Sequence, residues 1–166
     1  MDDGRPTHET STSRVWYLQT AGSSGGEVHE QRVEYLPGSP FPPEHLHPDQ
    51  DEHFEIERGQ MLFVVDGTDH LLGAGDTLDI PRGTAHRARN ASSFQSAVVR
   101  WETRPALRTT EFFTTAAALD DAGTLDSALL AHEYRDVFRA TGALGALVPI
   151  LGRIARLRGR RLPAHG

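Results

Sequence analysis

The sequence predicts an all-β domain followed by α-helices, and three observations lead to this prediction. Between residues 14 and 104, short runs of apolar and β-branched residues are separated by Gly, Pro and Asp turns, as in an antiparallel sandwich or barrel. After residue 104 the apolar pattern takes the helical period. A chain of 166 residues is long enough for one hydrophobic core. We expect a disordered leader over 1–13, a β-barrel over 14–104 and a helical extension over 105–166 that packs on the barrel or a dimer partner.

The predicted strands are short, and each is bounded by turn residues. The segment 37–43, "PGSPFPP", is expected to be irregular because proline cannot continue the interior of a sheet. The strands read in order as "RVWYLQT", "VHEQRVEYL", "EHLHP", "HFEIERG", "QMLFVVDG", "HLLGAGD", "TLDIPRG", "AHRARN" and "FQSAVVRWE".

Three helices are expected in the extension, over 111–123, 125–142 and 143–161. Pro149 either kinks the last helix or lies near its start. Its arginine-rich end suits the negative pole of a helix, and membrane binding is the less favoured interpretation. One apolar face of this helix carries Leu144, Leu147, Val148, Leu151, Ile154 and Ala155.

Composition excludes several classes of function. The chain has no cysteine, so any metal must be held by nitrogen and oxygen atoms, and a cytoplasmic location is expected. A net charge of −6 argues against a nucleic-acid partner. No segment has the roughly 18 apolar residues that a membrane span needs. All the basic residues are arginine, which rules out Schiff-base catalysis through a lysine.

The stretch "PEHLHPDQDEHFEIERG", residues 43–59, is open to three interpretations: a metal site, an acid–base pair or a polar surface without function. His45 and His47 are two residues apart, so on a strand they project to the same side. Glu52 follows after a bend, from which its carboxylate is able to approach the same point. His53 points the other way along the strand and is expected on the surface, as is His70 in a hairpin strand.

A second stretch, "GDTLDIPRGTAHRARN" at residues 75–90, favours a metal site as the interpretation of residues 43–59. Its fixed positions are Gly75, Pro81, Gly83, His86 and Asn90. Together with His45, His47, Glu52 and Gly59, these positions resemble the two conserved motifs of the cupin family. The glycine that should precede the first histidine is one place early, at Gly38. The resemblance covers residues 28–102 and implies a double-stranded β-helix, or jelly-roll barrel.

The resemblance assigns His45, His47, Glu52 and His86 as ligands of one divalent transition metal. Three imidazoles and a carboxylate suit iron, manganese, nickel, zinc or copper alike. Four protein ligands leave about two positions of an octahedral shell open for water, substrate or dioxygen. Gly59, Gly75 and Gly83 are interpreted as turn residues, and Pro81 and Asn90 as turn and strand-end residues.

Several other side chains are candidates for the lining of an internal cavity, although the sequence does not distinguish lining from core. They are His29, Gln31, Tyr35, Phe54, Phe63 and Trp101. His132 is interpreted as part of the polar face of a helix.

Two functional hypotheses remain open. The first is a metal-dependent enzyme that acts on a small aromatic or polyketide-like molecule, as an oxygenase or as an isomerase or cyclase. The second is a binding protein that senses or carries a small molecule without catalysis, because a fold does not fix a function. Cupins commonly pair through a sheet edge, so a homodimer is also expected.

Overall fold

The computed structural model describes residues 4–120 and 123–163, which form two antiparallel sheets and three helices. The elements are β1 (His8–Glu9), β2 (Ser13–Gln19), β3 (His29–Tyr35), β4 (His45–Leu46), β5 (Asp51–Arg58), β6 (Gln60–Val65), β7 (Thr68–Gly73), β8 (Thr77–Ile80), β9 (His86–Asn90), β10 (Ala97–Arg104), α1 (Thr109–Ala118), α2 (Thr124–Glu133), β11 (Arg139–Ala140) and α3 (Gly142–Leu157).

The two sheets face each other in the double-stranded β-helix that the sequence predicts. One sheet has the order β1-β2-β3-β10-β5-β8, and the other has the order β11-β4-β9-β6-β7. In the described residues they remain two open sheets rather than one closed barrel. The apolar core fills the space between them and contains Phe54, Ile56, Met61, Phe63, Ile80, Ala97 and Val99.

Strand β5 shows how the alternation of its residues builds this core. Phe54 and Ile56 point inward and are buried, whereas Glu55 and Glu57 between and after them are exposed. Burying each apolar side chain contributes about 1.5–3 kcal/mol to folding. The same alternation places the carboxylate of Glu52 on the inner face and His53 on the outer one.

Gly59 links β5 to β6 where only glycine fits. Its φ is +78°, and a Cβ at this position would lie 2.7 Å from the carbonyl oxygen of Ser96. Gly75 and Gly83 also have positive φ, at 92° and 78°, in the turns before β8 and β9. All three glycines thus lie in turns whose positive φ favours glycine.

Asn90 is the last residue of β9, and its side chain forms hydrogen bonds with the backbone of neighbouring segments. Its Nδ2 donates to the carbonyl oxygens of Tyr35 at 3.2 Å, Leu36 at 3.2 Å and Gln95 at 2.7 Å. Its Oδ1 accepts the backbone N–H of Ser92 at 2.9 Å. The side chain is fully buried, so these bonds satisfy polar groups that water does not reach.

The N-terminal segment differs from its prediction. His8–Glu9, inside the segment predicted to be a disordered leader, forms β1 and pairs with β2. Thr7 N–H donates to the carbonyl oxygen of Val15 at 2.7 Å, which extends this contact. Residues 1–3 lie outside the described part of the chain.

The extension also differs from its prediction, in one helix above all. The helix predicted over 125–142 ends at Glu133, and Arg139–Ala140 forms β11, which pairs with β4. Pro149 lies inside α3. On the predicted apolar face of α3, Val148 and Ala155 are buried, whereas Leu147 remains half exposed.

His132 is buried between α2 and α3, so its predicted place on a polar helix face is wrong. A Cβ on Gly152 would lie 2.5 Å from the Cβ of His132, and the glycine thus lets the two helices pack closely. Among the described helices, none is long and apolar enough to cross a membrane.

Candidate metal centre

The structure brings His45, His47, Glu52 and His86 together between the two sheets. His45 on β4 and His86 on β9 are direct cross-strand partners, and His47 is the first residue after β4. One ligand atom from each histidine lies within 4.8 Å of the others. From the opposite sheet, Glu52 places Oε1 at 3.2 Å from His47 Nε2 and Oε2 at 2.9 Å from His86 Nε2.

Each of the three imidazoles is held through its Nδ1 by a backbone carbonyl. His45 Nδ1 lies 2.9 Å from the oxygen of Pro43, and His86 Nδ1 lies 3.0 Å from that of Thr84. His47 Nδ1 donates to the carbonyl oxygen of Val137. A carbonyl only accepts, so the neutral rings carry their proton on Nδ1 and present an unprotonated Nε2 to the centre.

The arrangement fits a divalent transition metal. His47 Nε2 and Glu52 Oε2 are fully buried and form no aligned hydrogen bond with any described residue, despite their short contacts. Buried polar atoms left in this state are rare unless a ligand completes them. The donor set of imidazole nitrogens and one carboxylate is suited to iron, manganese, nickel, zinc or copper.

Trp101 on β10 orients the carboxylate. Its indole N–H donates a hydrogen bond to Glu52 Oε1 at 2.9 Å, and this bond fixes the orientation of the carboxylate. The Trp101 ring is in turn stacked on Phe54, with centroids 5.1 Å apart. Outer partners of this kind fix the geometry of ligands.

The charges of the cluster are strongly coupled. Burial opposes ionisation of Glu52, but contact with His47 and His86 outweighs it and holds the pKa of the carboxyl below its usual value. Burial, aided by the neighbouring His86 and His47, lowers the pKa of His45 to about 3. Burial also disfavours the charged form of His47, yet Glu52 outweighs it and raises that pKa. Metal binding at His47 Nε2 therefore competes with protonation of that nitrogen.

The extension takes part in this centre directly. Val137 supplies the carbonyl that holds His47, and the Phe138 ring stacks on His45 with centroids 4.4 Å apart. Ala140 on β11 is the cross-strand partner of His45 on β4. The backbone N–H of Thr141 donates to the backbone carbonyl oxygen of Glu44 at 3.0 Å. Sequence reasoning missed these contacts, because a backbone carbonyl 90 residues away leaves no sequence signal.

A cavity of about 720 Å³ adjoins the histidines and is bounded mainly by apolar side chains. From the sheets, Val15, Val33 and Ala88 contribute to its wall. The extension contributes Phe112, Phe113, Ala116, Ala128, Leu130, Phe138, Leu144, Val148 and Leu151. The helices thus form one wall of a cavity that the buried side chains of His45, His47 and His86 also line.

The candidate lining residues divide into two groups. Gln31, Tyr35, Phe54 and Trp101 lie along the cavity wall. Phe63 is fully buried in the core, and its ring contacts Phe54. His29 is also fully buried and lies beneath α1, where its Nδ1 is 2.9 Å from Thr110 Oγ1.

Comparison with known proteins agrees with this geometry. A family profile described as "Cupin domain" matches residues 31–101, a range that contains all four candidate ligands. Residues 31–101 are a cupin domain. The cupin motifs predicted from the sequence are thereby confirmed at the level of the family, and the helical extension lies outside the matched range.

Two curated proteins are similar to part of this chain. An oxidoreductase, iacF, from Pestalotiopsis fici is 49% identical over 74 residues, which cover 43% of this chain and 33% of that protein. An uncharacterised protein, YdbB, from Bacillus subtilis is 45% identical over 47 residues, or 28% of this chain and 42% of that protein. The chain thus spans less than half the length of either curated relative.

Solved structures share the cupin fold at low sequence identity. KdgF from Halomonas sp. has a TM-score of 0.56 at 15% identity, with 66% of this chain and 96% of that chain covered. A predicted oxalate decarboxylase from Thermotoga maritima has a TM-score of 0.55 at 18% identity, with 61% and 92% covered. At these identities the likeness shows the fold alone.

Proposed function

We propose that the protein is a metal-dependent oxygenase acting on a small aromatic or polyketide-like molecule. The observation that carries the proposal is the alignment of three Nε2 atoms and one carboxylate at the wall of an apolar cavity. The partial similarity to an oxidoreductase supports redox chemistry over isomerase or cyclase chemistry.

The proposed ligands are His45, His47, His86 and Glu52. When bound there, a redox-active metal such as iron, manganese or copper supplies a site where substrate and dioxygen are activated together. The three imidazoles remain neutral ligands because their Nδ1 protons are held by carbonyls. The carboxylate of Glu52 offsets part of the positive charge of the ion, and Trp101 keeps it oriented.

The cavity itself accounts for the proposed substrate class. A volume of about 720 Å³ lies in the range that accommodates a drug-sized molecule. Its aromatic wall residues, which include Phe112, Phe113 and Phe138, favour a flat apolar body.

The proposal is tested by turnover under controlled dioxygen. Protein reconstituted separately with iron(II), manganese(II) or copper(II) is incubated with phenols, β-dicarbonyls and polyketide-like aromatics. Dioxygen uptake and products are then measured. We expect uptake coupled to product formation with at least one metal, and its loss in the His45→Ala variant. Product without uptake would assign the isomerase or cyclase reaction, and tight binding without product would assign a carrier or sensor.

The homodimer and the cytoplasmic location predicted from the sequence remain part of the proposal. Each open sheet has edge strands, β8 in one and β7 in the other, whose unpaired backbone groups suit a partner strand. The proposal includes no nucleic-acid partner, in keeping with the net charge of −6.

A further inference from the structure

The cavity has a second polar feature besides the histidine cluster, at Gln31 on β3. Only 1% of Gln31 is exposed, and it lies on the cavity wall. Its Oε1 is 3.2 Å from His29 Nε2. Within residues 4–120 and 123–163, its amide nitrogen makes no hydrogen bond to protein, and it is reached from the cavity, whose wall is mainly apolar.

A buried chain of hydrogen bonds fixes the orientation of this amide. Thr110 Oγ1 on α1 lies 2.9 Å from His29 Nδ1, and His29 Nε2 faces the amide oxygen of Gln31. With the oxygen in that position, His29 donates from Nε2 and its Nδ1 accepts the hydroxyl proton of Thr110. Burial lowers the pKa of His29 and keeps the ring neutral, in agreement with one proton on the ring.

The amide nitrogen of Gln31 is therefore a hydrogen-bond donor that is available to a molecule bound in the cavity. The amide nitrogen faces a mainly apolar cavity without a protein acceptor, so an acceptor on a bound molecule completes its hydrogen bonding. Because the nitrogen donates, the matching group is an acceptor such as a carbonyl oxygen.

The register of the sheet places this donor in line with an aromatic surface. Gln31 is the cross-strand partner of Trp101, which is the partner of Phe54. At the usual strand spacing, Gln31 and Phe54 are about 10 Å apart, and Glu52 lies about 7 Å further along β5. A flat molecule of about two fused rings spans from the Gln31 amide across Trp101 and Phe54 towards the histidines.

We propose that Gln31 anchors the substrate by donating a side-chain hydrogen bond to a carbonyl oxygen of a flat, two-ring aromatic molecule. The proposal rests on the proposed function and narrows its substrate class to aromatic compounds that carry a carbonyl group. His29 and Thr110 are positioning residues, because they act through Gln31.

The test compares two probes that differ only in the carbonyl group, 6-acetyl-2-naphthol and 6-ethyl-2-naphthol. Their dissociation constants are measured by calorimetry under nitrogen with the wild type and with Gln31→Met, which keeps the side-chain length but has no donor. The wild type is expected to bind the acetyl probe about tenfold more tightly, the worth of one hydrogen bond in a dry site. The Gln31→Met variant loses this preference and keeps its affinity for the ethyl probe.

A spectroscopic readout keeps the proposal testable if that variant does not fold. In the wild type, the side-chain 15N–H resonances of Gln31 shift with the acetyl probe and not with the ethyl probe. Thr110→Val reduces the acetyl preference and shifts the 15N resonances of the His29 ring, which a merely structural role for Thr110 does not require.

Any one of three results would contradict the proposed role of Gln31. They are equal affinity of the wild type for the two probes, no binding of either probe, and a preference for the acetyl probe that persists in Gln31→Met. The dissociation constants of the two probes are measured without turnover. They therefore test the role of Gln31 even if the protein proves not to be an oxygenase. Conversely, loss of the anchor leaves dioxygen uptake with other substrates untouched.

Discussion

Replacing His86 with alanine is expected to lower the affinity for a divalent transition metal by at least about a hundredfold. The change removes one of three converging Nε2 atoms and leaves Glu52 Oε2 without its contact at 2.9 Å. Bound metal is measured by mass spectrometry after dialysis against a buffered metal solution, and the dissociation constant by competition with a chelator. We expect the wild type to retain about one ion per chain and the variant to lose it.

His53→Ala is the matched control for this prediction. His53 is adjacent to Glu52 on β5 but points outward, where its Nδ1 is 2.7 Å from an Asp79 oxygen. The same imidazole is removed from the same protein, one position from a proposed ligand. Metal content of the control should equal that of the wild type, and a similar loss in both variants would mean that the ions bind surface histidines.

The Phe138→Ala change is expected to weaken metal binding about tenfold to a hundredfold and to lower the free energy of unfolding by about 2–3 kcal/mol. Phe138 is partly buried, stacks on His45 and lies against Phe112 with ring centroids 5.2 Å apart. Its loss loosens the segment from which Val137 holds His47 Nδ1. Urea denaturation gives the stability change, and chelator competition gives the metal affinity.

Phe94→Ala provides the same substitution at a site away from the centre. The Phe94 ring is 89% exposed, so we expect less than about 0.5 kcal/mol of change and unaltered metal affinity. A cobalt(II)-loaded sample adds a spectroscopic readout of the ligand geometry. If Phe138→Ala lowers stability but leaves the cobalt absorption bands and the metal affinity unchanged, the extension only packs and does not position the ligands.

The sequence predicts the β part of the molecule well because its signals are local. Alternation along "DEHFEIER" is sufficient to place Glu52 inward and His53 outward, as the structure shows. Gly59 and Asn90 occupy positions that tolerate few other residues, so their identity alone marks a close approach and a strand end. The order of the strands in the two sheets follows from the family resemblance rather than from any single residue.

The extension is predicted less well because its contacts join distant parts of the chain. The helical period continues past Glu133 in the sequence, yet residues 139–140 form β11 since β4 offers an edge to pair with. The sequence places His132 on a polar helix face because the residue that packs against it, Gly152, has no side chain to indicate a contact. The sequence likewise gives no signal of the hydrogen bond between His29 and Gln31, although it predicts both residues as candidates for the cavity lining.

The central claim is that the four side chains hold one metal ion, and X-ray absorption spectroscopy of zinc-loaded protein tests it most directly. We expect imidazole scattering from three nitrogens at about 2.0–2.1 Å and an oxygen shell at about 2.0–2.2 Å. The imidazole amplitude should fall by a third in His86→Ala and remain unchanged in His53→Ala. A first shell of oxygens alone, or of one imidazole that persists in His86→Ala, would contradict the claim.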